Sequence, residues 1–224
     1  GGMLLDMARR DGVPYVQLPD TGIQPRSALG FSFLALCKLV RREDLIQQTH
    51  ELASRIKPAH LKAIGKSLAQ KMKDKIPVIY CSRRNETLAW NWKIKLNETG
   101  KIPAFYSVFP ELNHNEMTGF SAKGEPASGV DVSRAALLSE NFHFIFLHDA
   151  DDHPKIQKRM TVAQKLYKQR KLPVVTMELK GKTQLEKLFR ALVIGDWTAL
   201  YTAELYGLES EQVPMVEEFK KMIT

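Results

Sequence analysis

Cysteine is nearly absent from this chain of 224 residues: Cys37 and Cys81 stand alone, in apolar surroundings and without the paired spacing of a zinc site. A disulfide framework is therefore excluded as the scaffold, and a reducing, cytoplasmic setting is expected. No apolar run nears the ~20 residues that a membrane-spanning helix needs, and no secretory signal pattern opens the chain. Internal repeats and low-complexity tracts are missing too. Aromatic residues make up 8% of the chain, and no stretch interleaves them with arginine as a base-stacking platform would. The 33 Lys and Arg against 25 Asp and Glu leave a net charge of +8. That charge is scattered through the helical stretches 56–75 and 155–171, so neither a nucleic-acid nor a membrane partner is expected. Local positive charge of this kind also suits a small anionic ligand.

What is present is ordinary globular composition, 44% hydrophobic and 26% charged, with enough length to bury a substantial core. Residues 3–10 read as the end of a helix, as though the chain began in mid-domain. The turn Asp11-Gly12 follows, then a short strand from Val13 to Leu18 and a loop at 19–25 rich in turn formers. Ser27 is placed to cap a strongly apolar helix at 28–40, which is expected in the core or at a subunit interface. Helical periodicity with Lys and Arg on the polar side continues over 43–73, a stretch suited to connecting two lobes. From Ile76 the pattern becomes strand and helix in alternation. Strands are predicted at 76–80, 104–109, 142–147 and 174–179, and helices at 86–97 (stopping at Gly100), 154–170, 183–206 and 214–223. Such alternation implies an α/β fold with a parallel sheet covered by helices on both faces. In that architecture ligands bind beyond the carboxyl ends of the strands, which directs attention to the loops after Tyr80, Phe109 and Leu147.

Two polar clusters lie at element ends, Asn97-Glu98-Thr99-Gly100-Lys101 and Glu111-Leu112-Asn113-His114-Asn115-Glu116. A carboxylate at Glu98 suits a general base if partly buried, and equally a solvated charge at a helix end. His114 can donate and accept a proton near neutral pH, or can be a hydrogen-bonded structural histidine. A third cluster, His148-Asp149-Ala150-Asp151-Asp152-His153, has donors for a divalent cation, but reads first as a loop whose acids favour the next helix N-terminus.

These clusters resemble, in order, motifs of the phosphoglucose/phosphomannose isomerases, a branch of the sugar-isomerase (SIS) domain superfamily. Glu111-Leu112-Asn113-His114-Asn115 looks like the family's E-x-x-H-N motif, and Asn97-Glu98-Thr99-Gly100-Lys101 resembles its N-E-N-x-K segment at matching spacing. Pro25-Arg26-Ser27-Ala28-Leu29 is similar to its P-R-A-A-L motif. Gly195-Asp196-Trp197 through Gly207, then Val216 to Lys220, resembles its closing helices and terminal lysine.

The resemblance implies an SIS-type, flavodoxin-like parallel sheet. The second lobe would be complete over 76–224, residues 1–40 would be the tail of a truncated first lobe, and 41–75 would connect the two. It implies a homodimer acting on a sugar phosphate without a metal or organic cofactor, interconverting fructose 6-phosphate with glucose 6-phosphate and mannose 6-phosphate. Glu98 would shuttle a proton between C1 and C2, His114 would assist ring opening across a subunit boundary, and Arg26 would balance the enediolate charge. Lys220 would aid ring opening or hold a substrate oxygen, so that Arg26 and Lys220 both touch substrate. The family's Gly-rich and S-G-N-T-type phosphate loops have no counterpart here, and Val213 stands where dual-specificity members carry a threonine. The rival reading is a non-catalytic SIS module that only binds sugar phosphates; an enzyme acting on amino-sugar phosphates ranks below it.

Overall fold

The computed structural model describes residues 2–120 and 133–223. It divides into two compact units, Gly1–Lys57 and Pro58–Thr224. The smaller unit holds helices α1 (Gly2–Arg10), α2 (Leu29–Leu39) and α3 (Glu43–Arg55). Residues 13–24 between them form neither helix nor strand. The strand expected at Val13–Leu18 is thus not formed: an extended segment needs a ladder partner, and the unit contains no second strand among its described residues. Ser27 does not cap α2 either. It closes a short 3₁₀ turn, Pro25–Ser27, and α2 starts at Leu29 behind Ala28 with no side-chain cap. Nor is α2 a core helix within this chain, since Cys37 is its buried residue while Leu36 is 58% exposed.

The larger unit is α/β. Strands β1 (Ile76–Ser82), β2 (Phe105–Phe109), β3 (Phe142–His148) and β4 (Val174–Glu178) form a fully parallel sheet in the order β2-β1-β3-β4. Each predicted strand is found within two residues of its expected limits, because each is a short apolar run bounded by turn residues or charge. Parallel neighbours need crossover connections. Helix α5 (Glu86–Glu98) supplies the crossover from β1 to β2, and α8 (Pro154–Gln169) that from β3 to β4. The short helices α6 (Glu116–Gly119) and α7 (Ser133–Ser139) lie between β2 and β3, while α4 (Pro58–Lys71), α9 (Gln184–Leu205) and α10 (Pro214–Ile223) flank the strand region in sequence.

Alternation along the strands sends Val78, Tyr80, Phe144 and Phe146 to one face, where they pack with Phe109, Met160, Ala163 and Tyr167. Edge-to-face ring pairs such as Phe144–Tyr167 at 4.6 Å and Tyr80–Phe146 at 5.2 Å build this layer. Each adds ~1 kcal/mol beyond the area it buries. The intervening residues Ile79, Cys81, Ile145 and Leu147 are fully buried on the other face, the side of α5. There α9 packs along α5, and α4 along α9. The indole of Trp92 donates to the Ala191 carbonyl at 3.1 Å, and Gly65 brings α4 onto the backbone of α9. No helix of the described residues is long and apolar enough to cross a membrane.

Candidate functional site

Parallel pairing dictates where the candidate residues fall. Because β1 and β2 are parallel neighbours, α5 must run back against them. It starts at the carboxyl edge of the sheet and ends at the amino edge, ~20 Å away for its 13 residues. Glu98, its last residue, is therefore on the amino edge. His114 follows β2 and lies on the carboxyl edge, with the five residues of that strand, ~16 Å, in between. Within one chain the sheet holds the two apart.

The amino edge gathers a second element. Helix α9 begins at the carboxyl edge, where Lys187 in its first turns reaches the loop after β3. It ends at the amino edge, where Asp74, just before β1, donates its backbone N–H to the Tyr206 hydroxyl at 2.7 Å. The chain then turns into α10, which carries Lys220. Lys101 closes the gap: its ammonium donates to the Glu98 carbonyl at 2.6 Å and to the Gln212 carbonyl. Glu98 is half-buried and Lys220 is exposed. Lys220 pairs with Glu217 at 2.7 Å. Arg26, half-buried, belongs to the smaller unit.

His114 is exposed in a one-turn loop closed by its own N–H on the Glu111 carbonyl at 2.9 Å. The neighbouring polar residues hold this loop in shape. Asn115 donates to the Glu111 carboxylate at 3.2 Å and caps α6 through the Glu116 N–H at 2.6 Å. Glu116 in turn accepts from the buried Tyr80 hydroxyl at 2.8 Å, with the Tyr167 hydroxyl 3.2 Å from Tyr80. Burial drives the Tyr80 and Tyr167 hydroxyls well above the usual phenol range, reinforced by the Glu116 charge, so both remain neutral donors. In this cluster, then, the imidazole of His114 stands exposed while its neighbours fix its loop.

The acidic run after β3 is not a metal cradle. Asp149, fully buried, accepts from the Lys187 ammonium at 2.5 Å, and Asp151 accepts from the same ammonium at 2.6 Å. Asn85 donates to Asp149 at 3.2 Å, and Ser82 donates to Asp152 at 2.7 Å. His153 accepts the Lys155 N–H at 3.1 Å and so caps α8, while His148 meets Glu178 at 2.7 Å. Burial works to raise the Asp149 carboxyl, but the Lys187 ammonium and the other donors outweigh it and hold the group low. Asp152 is pushed up, by burial first and then by the Asp149 charge, against the Ser82 hydrogen bond. Among the described residues no group of three or more His, Cys, Asp or Glu is arranged for a metal ion. The lysine of α9 supplies the cation, and the loops after β1 and β3 are filled by their own side chains.

Sequence reasoning missed Ser82, Asn85 and Lys187 as one buried network, since their carboxylate partners lie 36 to 70 positions away. Asp149, two positions after the run Phe142–Leu147, was the available signal. Lys101 is legible only as part of a motif, and nothing in the sequence ties it to Gln212.

The chain belongs to the family described as the bacterial phospho-glucose isomerase C-terminal SIS domain, whose model matches residues 62–223. Among known proteins it is similar to the bifunctional phosphoglucose/phosphomannose isomerase of Caldicellulosiruptor bescii, 31% identical over 237 aligned positions covering 100% of this chain and 66% of that protein. The protein of the same name from Aquifex aeolicus is 27% identical over 98% of this chain and 64% of its own length. The chain thus spans about two thirds of the length of these relatives. A solved glucose-6-phosphate isomerase like protein from Thermus thermophilus shares the fold with a TM-score of 0.65 at 14% identity, over 88% of this chain and 63% of that one.

Proposed function

We propose that this chain is part of a sugar-phosphate aldose–ketose isomerase that interconverts fructose 6-phosphate with glucose 6-phosphate through a cis-enediolate, mannose 6-phosphate being the second product that the Val213 position leaves for the product ratio to decide. The observation that carries this reading is the division of Glu98 and His114 between opposite edges of one sheet, in a chain similar to named isomerases over its whole length. A lone binding module has no use for a base and a ring-opening acid held that far apart. A pair of chains docked edge to edge does, because each site then takes Glu98 from one chain and His114 from the other. The proposal therefore includes a homodimer, with the exposed apolar side of α2 available to it.

In the reaction, His114 gives a proton to the ring oxygen as the C2–O5 bond breaks and recovers one from the C2 hydroxyl, which becomes the ketone, while Lys220 holds the freed hydroxyl. Glu98 takes the proton from C1 of the ketose, and a proton moves between the O2 and O1 oxygens. Glu98 then returns its proton to C2, so that no electron or atom leaves. The negative charge of the enediolate needs a cation that cannot give up its own proton, and Arg26 is the guanidinium in the matching motif. Both proton transfers are general acid–base steps drawn with side chains of the protein alone. Free, buried thiols at Cys37 and Cys81 suit a reducing cytoplasm.

Turnover of fructose 6-phosphate, followed for both aldose products, tests the reading, with the third of a relative that this chain does not span supplied in trans. Glu98→Gln should lower kcat about 10²–10⁴-fold and leave sugar-phosphate binding in place. Equal turnover by the variant removes Glu98 as the base. Binding without turnover in the unmutated protein favours the sensor-like module instead.

A further inference from the structure

We infer that Lys101 is a positioning residue: its ammonium clamps the entry of α10, and with it Lys220, to the Glu98 end of α5. The inference deepens the isomerase reading and rests on it for the role of Glu98 and Lys220, though not for the clamp itself.

The backbone around Lys101 is the first support. Helix α5 ends in a tight reversal in which Gly100 donates to the Lys95 carbonyl at 3.0 Å and Ile102 to the Leu96 carbonyl at 3.2 Å. Such helix endings place one residue in the left-handed region, where glycine is favoured because a Cβ is strained. Gly100 is immediately before that position, yet the left-handed residue is Lys101, with φ of 59°. Gly100 is required for a different reason, since a Cβ there would sit 2.7 Å from the Leu96 carbonyl oxygen. The helix stop expected at Gly100 is thus completed by a lysine in the glycine position. That arrangement turns the lysine side chain back under the last turn of α5, onto the carbonyl of Glu98 itself.

The far end of the clamp is built as deliberately. Glu209 accepts the backbone N–H groups of Glu211 at 2.7 Å and Gln212 at 2.6 Å, folding the 209–212 segment so that its carbonyl at Gln212 faces Lys101. Those N–H groups hold the Glu209 carboxyl below the usual range, and the Lys101 charge adds to the effect. The helix that follows has no burial to fix it: all ten residues of α10 are exposed. Its placement relative to Glu98 therefore depends on how its lead-in segment is tied down, and a lysine with three ammonium donors, two of them on these two carbonyls, is a suitable tie.

The test is amide hydrogen exchange on the full chain and on Lys101→Met, Lys101→Gly and Lys101→Arg. The glycine variant keeps the left-handed turn and removes only the side chain. Exchange over 211–223 should rise at least ~10-fold in the Met and Gly variants, with protection of β1 and β3 unchanged, and should fall back toward the parent in the Arg variant. Unaltered exchange over 211–223 in the Gly variant overturns the clamp. In the turnover assay the same two variants should lose ~10-fold or more in kcat with KM within about twofold, as expected when catalytic groups lose alignment. Full kcat in a Gly variant whose α10 exchanges freely overturns the positioning role. Raised exchange in a chain whose unmutated form turns over no sugar phosphate upholds the clamp and removes only the isomerase reading.

Discussion

His143 is the side chain whose chemistry and surroundings are most at odds. It sits 5% exposed near the start of β3, opposite Pro77 of β1, and neither ring nitrogen makes a well-formed hydrogen bond, the Lys71 backbone offering only a weak approach. Burial pushes its pKa down to about 4, and the nearby Lys71 and Lys75 charges add to the shift. The native state thus prefers the neutral ring, while the unfolded chain takes up a proton near pH 6.5. Stability is full above that value and is lost as the pH falls from about 6.5 toward 4, by up to ~3 kcal/mol. Urea unfolding at several pH values should show this slope, and His143→Phe should remove it; an unchanged slope would assign it to other groups. At the same scale the sequence exposed Glu98, His114, Arg26 and Lys220 as polar residues in ordered motifs. It could not expose Lys187 as the cation of the Asp149 network, because a lysine in an amphipathic helix is ordinarily read as solvated.

The helices pack on their small residues. A Cβ at Gly65 of α4 would lie 2.4 Å from the Trp197 Cβ and 2.8 Å from the Thr198 backbone nitrogen of α9. Neither contact is a flexible side-chain tip, so the helices themselves would have to separate. Gly65→Ala should cost ~1–3 kcal/mol by overpacking, read as a drop of several degrees in Tm by calorimetry; a variant as stable as the parent would mean that α4 is free to slide. The loops that join strands to helices depend instead on charge. Lys187→Met leaves the fully buried Asp149 without its ammonium, and removing one partner of a buried pair costs ~3–5 kcal/mol. Guanidinium unfolding of Lys187→Met and of the Lys187→Met/Asp149→Asn pair should show the double variant recovering part of the loss. Elements of this kind were legible where a short apolar run or a long amphipathic one was bounded by glycine, proline or charge. The segment Val13–Leu18 has the composition of a strand and remains irregular, because a strand exists only with a neighbour to bond.

At the scale of the molecule, the parallel sheet turns a short separation in sequence into a long one in space. Glu98 and His114 are 16 positions apart, with one strand between them, and so stand on opposite edges. If each site joins two chains, a mixture of Glu98→Gln and His114→Ala chains should form heterodimers with one intact site. Up to about a quarter of the parental turnover should return on mixing, as random pairing into dimers with one good site in two predicts. Activity of the mixture no higher than the sum of its parts would show that the site is not shared. Of the candidate residues, His114 is the one that the described structure places beyond the carboxyl end of a strand. The loops after β1 and β3 are occupied by the Ser82, Asn85, Asp149, Asp152 and Lys187 network, and Glu98 with the start of α10 lies at the amino ends.

The amino-acid sequence by itself determined the α/β class, the four strands and their order along the chain, the helices that link them and the motifs that carry Glu98 and His114. Those features are local: hydrophobic period, turn residues and short spacings are written within windows of a few to some twenty residues. Tertiary structure alone decided the strand order β2-β1-β3-β4, the edge on which each candidate residue falls, the lysine that neutralises the acidic loop and the tie between Lys101 and Gln212. Each of these joins residues tens of positions apart, and such pairings follow from how the sheet and its helices close around a common core, which no local pattern encodes.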